Sequence, residues 1–504
     1  MHGIKMNLGL DGSNISFIKG ALPSSKIKGI VHIDLFKFIN RFISANLQSE
    51  TISLNDVAKE LLGEEKIKLS LRKITHEIKS EKTKDKALKE FMFYNLKDSI
   101  LTSKLFENLW LNISEITKLV SEPLFNVTRS SYSQLVEDYI IHNLNKFNEV
   151  AENKPHRDEI EKRRIRPKYT GAFVKEPKPS LYQNVAVFDF RSFYPNIIVS
   201  FNISSSTLKT KKEKGDFETP EFIFENKKRK FYFDKKPGFF PSILHELLEK
   251  RRKIKHLLKE EKNAILKSRD YALKTLANAS YGYLGFFGAR YYSLECAASV
   301  TAIARYYIHK TLGDIEKEGF RTIYADTDSC MFLLGNKKEK DALEMLKKIN
   351  KALPRTMELE VEQFYKRGIF VSKKTSKSGA KKKYALLSKD GTIKIRGFES
   401  VRRDRCELAK KIQDHVLKDI LSKGKARDSL IYVKEMIQKV KEKKINIEEL
   451  IIRTKLKKSI GDYTSIGPHV AVAKRMKEKG IPVSYTHLRA HETSLHLVCR
   501  LLLE

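Results

Sequence analysis

Cysteine is scarce in this sequence, and its four copies, Cys296, Cys330, Cys406 and Cys499, stand far apart. With no CxxC pair and no Cys/His cluster, neither a zinc site nor a disulfide framework is implied. A run of about 18 apolar residues is also missing, so no segment qualifies as a membrane helix. The opening MHGIKMNLGL lacks the charged-then-apolar layout of a secretion signal. No internal repeat occurs. These absences predict a soluble, intracellular protein held together by an ordinary core. Acidic residues are the last shortage: 62 Asp+Glu face 98 Lys+Arg, a formal net charge of +36 over 504 residues. That excess is larger than solubility requires and predicts a polyanionic partner.

What is present can bury a core: 41% of residues are hydrophobic and 10% aromatic, which excludes disordered and collagen-like chains. The length suggests roughly three domains of about 150 residues. The basic excess is uneven, +3 over residues 1–150, +13 over 151–300 and +20 over 301–504. Its densest runs are RRIRPK (163–168), KKRKFYFDKK (227–236) and the stretch from Lys366 to Arg403, where 13 basic residues accompany two acidic ones. Any one run reads most simply as a solvated face, as 227–236 does here, but three with Tyr and Phe interleaved are harder to dismiss.

Mixed α and β structure is expected. Residues 1–120 read as a short strand-like start followed by helices, and 121–165 as a helix leading into a basic, proline-containing linker. VAVFDF (185–190) is a buried strand by its apolar, β-branched run. Helical periodicity from Ser242 to Leu266 and from Ser268 to Tyr281 predicts an antiparallel helix pair. RTIYADTDSCMFLL (321–334) reads as two strands joined by an acidic turn, and the chain after about Glu399 as Lys-rich helices.

Three carboxylates stand out. Asp189 ends an apolar strand before RSFYPNII, and Asp326 and Asp328 sit two apart in YADTDS, where strand alternation would point them to one face. An Asp-x-Asp turn alone is also an ordinary polar hairpin turn. A third acid on a neighbouring strand completes what two hard divalent cations about 4 Å apart need for phosphoryl transfer. On the helix pair, Arg251 and Lys255 are four apart, and Lys274, Asn278 and Tyr281 follow i, i+4, i+7 spacing. Such faces suit a triphosphate, with Arg as a forked donor set and Lys as a point charge. A glycine-punctuated NASYGYLGFFG follows, which a merely solvated face would not carry.

These residues resemble the motifs of family B DNA polymerases of the archaeal replicative type, over essentially all of residues 1–482. DFRSFYPNII (189–198) is similar to motif A, KTLANASYGYLG (274–285) to motif B and YADTDS (324–329) to motif C. YTGA (169–172) resembles the Tyr-Gly-rich motif between exonuclease and polymerase regions, KKKY (381–384) the basic primer–template motif, RGFESVRRD (396–404) the approach to the thumb, and DYTSIGPHVAVAKR (462–475) the thumb. The resemblance implies an α+β multidomain, right-hand polymerase fold: a palm of antiparallel sheet plus helices, helical-hairpin fingers, a partial thumb and the C-terminal part of an RNase H-like 3′-5′ exonuclease domain. The expected boundaries are 1–125 for the partial exonuclease domain, 126–237 and 289–372 for the palm, 238–288 for the fingers and 373–482 for an incomplete thumb.

It also implies roles. Asp189 and Asp328 would bind two Mg²⁺ ions, for which Mn²⁺ could substitute, with Asp326 as a supporting acid and Phe190 offering its carbonyl. Ser192, Phe193, Tyr194, Arg251, Lys255, Lys274, Asn278 and Tyr281 would form the dNTP site, Tyr194 as the gate against a ribose 2′-OH. Tyr169, Gly171, Lys382, Lys383, Tyr384, Arg402 and Arg403 would contact primer–template DNA through phosphates. The reaction implied is attack of the primer 3′-hydroxyl on the α-phosphorus of a dNTP, with pyrophosphate leaving, in a cytoplasmic, nucleoid-associated setting without a membrane.

Departures from the family pattern carry their own expectations. Phe193 stands where Leu is usual and Ala279 where Ser is common, both conservative. Ser293 and Cys296 occupy positions where hyperthermophilic relatives often carry a cysteine pair, so that bridge cannot form. YNLKD (94–98) resembles the third exonuclease motif, giving Tyr94 and Asp98, but the other exonuclease motifs are absent, so no proofreading is expected. A sliding clamp would serve the full-length protein, with its binding peptide missing here. The last 22 residues, 483–504, contain no lysine and three of the 13 histidines; they resemble translated sequencing-adapter DNA, and natural sequence is expected to break near Pro482. Intact acids argue against an inactivated scaffold, the 85 residues from Asp189 to Lys274 against the insertions of a protein-primed polymerase, and Thr327 between the acids against a reverse transcriptase.

Overall fold

The computed structural model describes all residues except 1–5, 19–22, 50, 68, 70–73, 75, 81, 355, 374–375, 403–404, 455, 457–458, 480–487 and 492–504. They form two compact units. One comprises Met1–Gly171, Ser192–Ala304 and Pro354–Met357, the other Ala172–Arg191, Arg305–Leu353 and Glu358–Glu504.

The second unit is organised by a seven-stranded antiparallel sheet. Its strands are β1 (Val174–Lys175), β2 (Ser180–Phe190), β3 (Arg321–Asp326), β4 (Ser329–Leu333), β5 (Leu359–Ser372), β6 (Gly379–Ser388) and β7 (Ile393–Arg396), in the order β7-β6-β5-β2-β4-β3-β1. β2 is central, between β5 and β4, and its Val185, Ala186, Val187 and Phe188 are fully buried. A central strand covered on both faces needs apolar residues at successive positions, which is why VAVF runs without alternation. On one face Val185, Val187, Tyr324, Met331, Phe370, Tyr384 and Leu386 share a core; Ala385, Leu387, Phe398, Leu417 and Leu421 form a second. The latter recruits a Lys-rich helix, Glu407–Lys423, through Leu417 and Leu421.

The first unit is helical around a long helix, Lys84–Val120, and a hairpin of α1 (Phe239–Glu260) and α2 (Ala264–Leu284). Pro241 is accommodated in the first turn of α1, where its missing N–H is harmless. α2 buries Ala272, Leu273, Leu276, Ala277, Ser280, Tyr283 and Leu284, a 3.6-period stripe, and leaves Lys274 and Asn278 exposed.

Three expectations change in detail. The helix pair breaks at residues 261–263, not after Leu266: Glu261 turns extended at φ −132°, and the Asn263 side chain caps α2 by accepting from the amides of Ile265 and Leu266. Residues 121–165 are several short helices, including Tyr132–Asn143 and Arg157–Ile165, because Ser131 and His156 begin new N-termini. Of the expected adapter-like tail, only Leu488–His491 falls among the described residues, as a strand paired antiparallel with Ile451–Thr454.

Candidate active site

Backbone pairing lines up the acidic end of the sheet. Asp326 pairs with Ser329, Ser329 with Asp189, and Asp189 with Glu360, so one row crosses β3, β4, β2 and β5. Strand alternation does not orient Asp328. Asp326 ends β3, and Thr327 and Asp328 form the two-residue turn to Ser329, with Thr327 left-handed at φ 58°. This conformation is costly for a β-branched residue. It is held by the Thr327 amide donating to the Phe173 carbonyl (3.0 Å) and its hydroxyl to Asp326 Oδ1 (3.1 Å). The Phe190 amide donates to the Asp328 carbonyl (2.9 Å), tying the end of β2 to that turn.

An open cleft of about 430 Å³ results, lined by Asp189, Asp326, Thr327, Asp328, Ser329, Glu362, Lys382, Tyr384 and Lys394. Glu362 was not singled out from the sequence. It enters through a bulge in β5, where the register slips between Val361 and Gln363; the alternation of LEVEQF, with Glu360 and Glu362 two apart, was the available signal. Cations answer most of these acids. Arg191 Nη2 pairs with Glu360 (2.5 Å), Lys382 Nζ with Asp326 (3.3 Å), and Lys394 with Glu362.

Asp189 is half-buried among these acids. Burial first, then the Asp328 and Glu362 carboxylates, push its acid up to about 7. Asp328 is also raised, by burial and then by Asp326 and Glu362, against its own backbone hydrogen bond. A raised folded-state value favours the neutral form, so Asp189's contribution to stability is fullest at acid pH and is lost as pH rises through about 7. In chelator, the melting temperature of the parent should fall more between about pH 5 and about pH 8 than that of Asp189→Asn. Equal pH slopes would contradict the assignment. Hard carboxylate oxygens confronting one another in a cleft fit a divalent cation of the Mg²⁺ class, although among the described residues no three His, Cys, Asp or Glu side chains are already gathered into a coordination shell.

The basic KKKY segment lies in β6. Lys382 is left-handed at φ 63°, and its amide donates to Tyr324 Oη (3.0 Å), whose hydroxyl lies 3.4 Å from Asp326 Oδ2. Gly397 makes this bend possible: at φ 68°, a Cβ there would stand 2.2 Å from the Lys382 carbonyl oxygen. Lys383 instead pairs with Glu399 (3.1 Å). Tyr384 is buried in the core, stacked on Phe370 at 5.5 Å, so its ring is a wall of the cleft and not an exposed contact. Arg402 is exposed, and Arg403 lies outside the described residues.

The other candidate residues belong to the first unit. Ser192, left-handed at φ 43°, stands at the N-terminal boundary of the helix Phe193–Ser200 without a side-chain cap bond. Its hydroxyl accepts from Arg251 Nη1 (2.9 Å). Tyr194 packs on Tyr281 at 4.4 Å between ring centroids, and Tyr281 Oη is 2.9 Å from Tyr169 Oη. Lys255 is half-buried on α1, and Gly171, at the end of the first unit's opening segment, is exposed. Tyr94 and Asp98 lie on the long helix, both bound by Lys66, whose Nζ is 2.7 Å from Tyr94 Oη and 2.5 Å from Asp98 Oδ2. The run RRIRPK is largely used internally: Arg163 donates to the carbonyls of Phe287 (3.3 Å) and Ala289 (2.8 Å), and Arg166 joins Glu225 and Glu295. Lys227–Arg229, by contrast, is an exposed strand.

A strand-end aspartate beside an acidic hairpin turn, on an antiparallel sheet in a chain that also carries a helical hairpin, defines an α+β polymerase fold. The sequence model of DNA polymerase family B matches residues 123–489, and the chain belongs to that family. It is 38% identical over 491 residues to the DNA polymerase of Pyrococcus glycovorans, covering 95% of this chain and 60% of that one. The same figures hold for the DNA polymerase of Thermococcus sp. (strain 9oN-7). The DNA polymerase of Archaeoglobus fulgidus is 33% identical over 489 residues, covering 95% and 58%. Among solved structures, the family B DNA polymerase of the hyperthermophilic archaeon Pyrobaculum calidifontis is similar with a TM-score of 0.66 and 30% identity, over 97% of this chain and 61% of that chain. The chain thus spans about 60% of the length of these relatives. Among the described residues no helix is long and apolar enough to cross a membrane.

Proposed function

We propose that the chain is a DNA-directed DNA polymerase that adds dNMP units from dNTPs to a primer 3′-OH under direction of a template. The observation that carries this reading is the convergence of Asp189, Asp326 and Asp328 on one cleft. Asp189, Asp328 and the Phe190 carbonyl would hold two Mg²⁺ ions, with Asp326 in support. Ions held there would supply charge neutralisation for the attacking hydroxyl and the leaving oxygen.

The chain's own groups do the positioning. Arg251, Lys255, Lys274 and Asn278 take the triphosphate, Ser192 and Phe193 shape the turn beneath it, Tyr194 bars a ribose 2′-OH, and Tyr281 borders the nascent pair. Tyr169, Gly171, Lys382, Lys383, Arg402 and Arg403 serve the primer–template backbone, with Tyr384 supporting Lys382 and Lys383 from the core. Phosphate contacts of this kind hold register without reading sequence. In this reading residues 126–237 and 289–372 would serve as palm, 238–288 as fingers and 373–482 as thumb, with residues 483–504 foreign to them. Proofreading is not part of this reading: Asp98, the carboxylate of the exonuclease-like segment, is taken up by Lys66.

A 5′-labelled primer annealed to a template tests this. With Mg²⁺ and one dNTP at a time, extension by a single residue should follow the template base, and without dNTPs the primer should keep its length. Template-independent addition would overturn the polymerase reading, and primer shortening the exonuclease one.

A further inference from the structure

One acid on the fingers hairpin has no place in the reading above. Asp270 lies on α2 four residues before Lys274 and eight before Asn278, so it shares their helical stripe. A carboxylate on a stripe meant for a triphosphate repels the ligand, and needs a local reason to be there. That reason is visible in its partner. Asp270 Oδ1 accepts from Arg251 Nε at 3.0 Å, while Arg251 Nη1 donates to Ser192 Oγ at 2.9 Å. The two side chains are 11% and 23% exposed, so the pair is sheltered but reachable.

The guanidinium is planar and carries five N–H donors. Contacts at Nε and Nη1 fix both its position and its plane, and they use only two of the five. Asp270 therefore restrains the fork without occupying its Nη2 end. An arginine restrained in this way loses less rotamer entropy when a phosphate arrives than a freely swinging one. The second anchor, Ser192, is itself presented by a left-handed turn, so the guanidinium is spanned between a helix and a fixed loop.

We propose that Asp270 is a positioning residue for nucleotide binding, which holds the Arg251 guanidinium against Ser192 so that an incoming triphosphate meets a preset donor. The proposal rests on the reading of Arg251 as a triphosphate ligand. The test compares Asp270→Ala, Asp270→Asn, Arg251→Ala and the Asp270→Ala/Arg251→Ala pair in the full chain. Two readouts are taken: kcat and KM for dNTP in primer extension, and Kd for a fluorescent dNTP by anisotropy, which needs no turnover.

Asp270→Ala should raise KM and Kd about 10-fold, the size expected for one charge-assisted hydrogen bond, with kcat within about 2-fold. Asn keeps an acceptor for Nε and should restore both constants to within about 3-fold of the parent. In the Arg251→Ala background Asp270→Ala should add nothing, since its partner is gone. Tighter binding by both Asp270 variants would show a competitor for Arg251 and overturn the proposal, as would an equal loss in the Arg251→Ala background. Should Arg251→Ala leave Kd unchanged, the triphosphate reading itself fails and the proposal falls with it.

Discussion

Asp328→Ala is expected to abolish primer extension, a loss of about 1,000-fold or more in kcat, while primer–template affinity stays within a few fold. The split follows from where the residue sits. Its carboxylate lines the cleft beside Asp189, and its contribution to the fold is mainly through backbone: the carbonyl accepts from Phe190, which alanine preserves. Removing the side chain also takes away a carboxylate that helps raise Asp189, so the variant should be no less stable in chelator. In the proposed reading primer–template DNA is held by separate basic groups, so its affinity should not be drawn into the loss. Unchanged extension would refute the assignment of Asp328, and a parallel collapse of DNA affinity would point to misfolding of the turn.

Tyr194→Ala should let ribonucleotides in, raising their incorporation relative to dNTPs by about 10- to 100-fold, the range expected when a steric clash against one hydroxyl is removed. Tyr194 is the second residue of the helix Phe193–Ser200, and its ring packs on Tyr281 at 4.4 Å and Phe193 at 6.1 Å. A ring confined on two sides cannot swing away from an extra oxygen. Competition between labelled dNTP and rNTP opposite one template base measures the ratio directly, and an unaltered ratio would count against the gate. Tyr194→Phe keeps the ring and should keep the discrimination.

Legibility was uneven for physical reasons. The central strand announced itself because a strand covered on both faces must be apolar throughout, and the two strands around Thr327 because their polar turn is so short. The acids were legible as a combination of motifs. Glu362 was not, because a bulge in β5 decides its direction and the Glu360/Glu362 alternation does not by itself reveal a bulge. The tight basic run at 163–168 suggested a ligand surface, yet Arg166 is matched by Glu225 and Glu295, acids distant in sequence that only folding brings near. The hairpin break at 261–263 was misplaced because EEKN continues the polar side of a helix until Asn263 caps the next one. Tyr384 looked like a DNA contact, but its alternation in β6 turns it into the core.

The buried cysteines have a practical consequence. Cys296, Cys330 and Cys406 are all enclosed, and burial pushes the thiols of Cys296 and Cys330 up to about 12. Only thiolates react readily with maleimides, so these side chains stay dark to a dye. With Cys499 replaced, a single cysteine introduced at exposed Lys262, in the hairpin turn between α1 and α2, becomes the one handle for a fluorophore. The scarcity of sulfur in this chain makes it ready for single-molecule spectroscopy of the α1–α2 hairpin without rebuilding its interior.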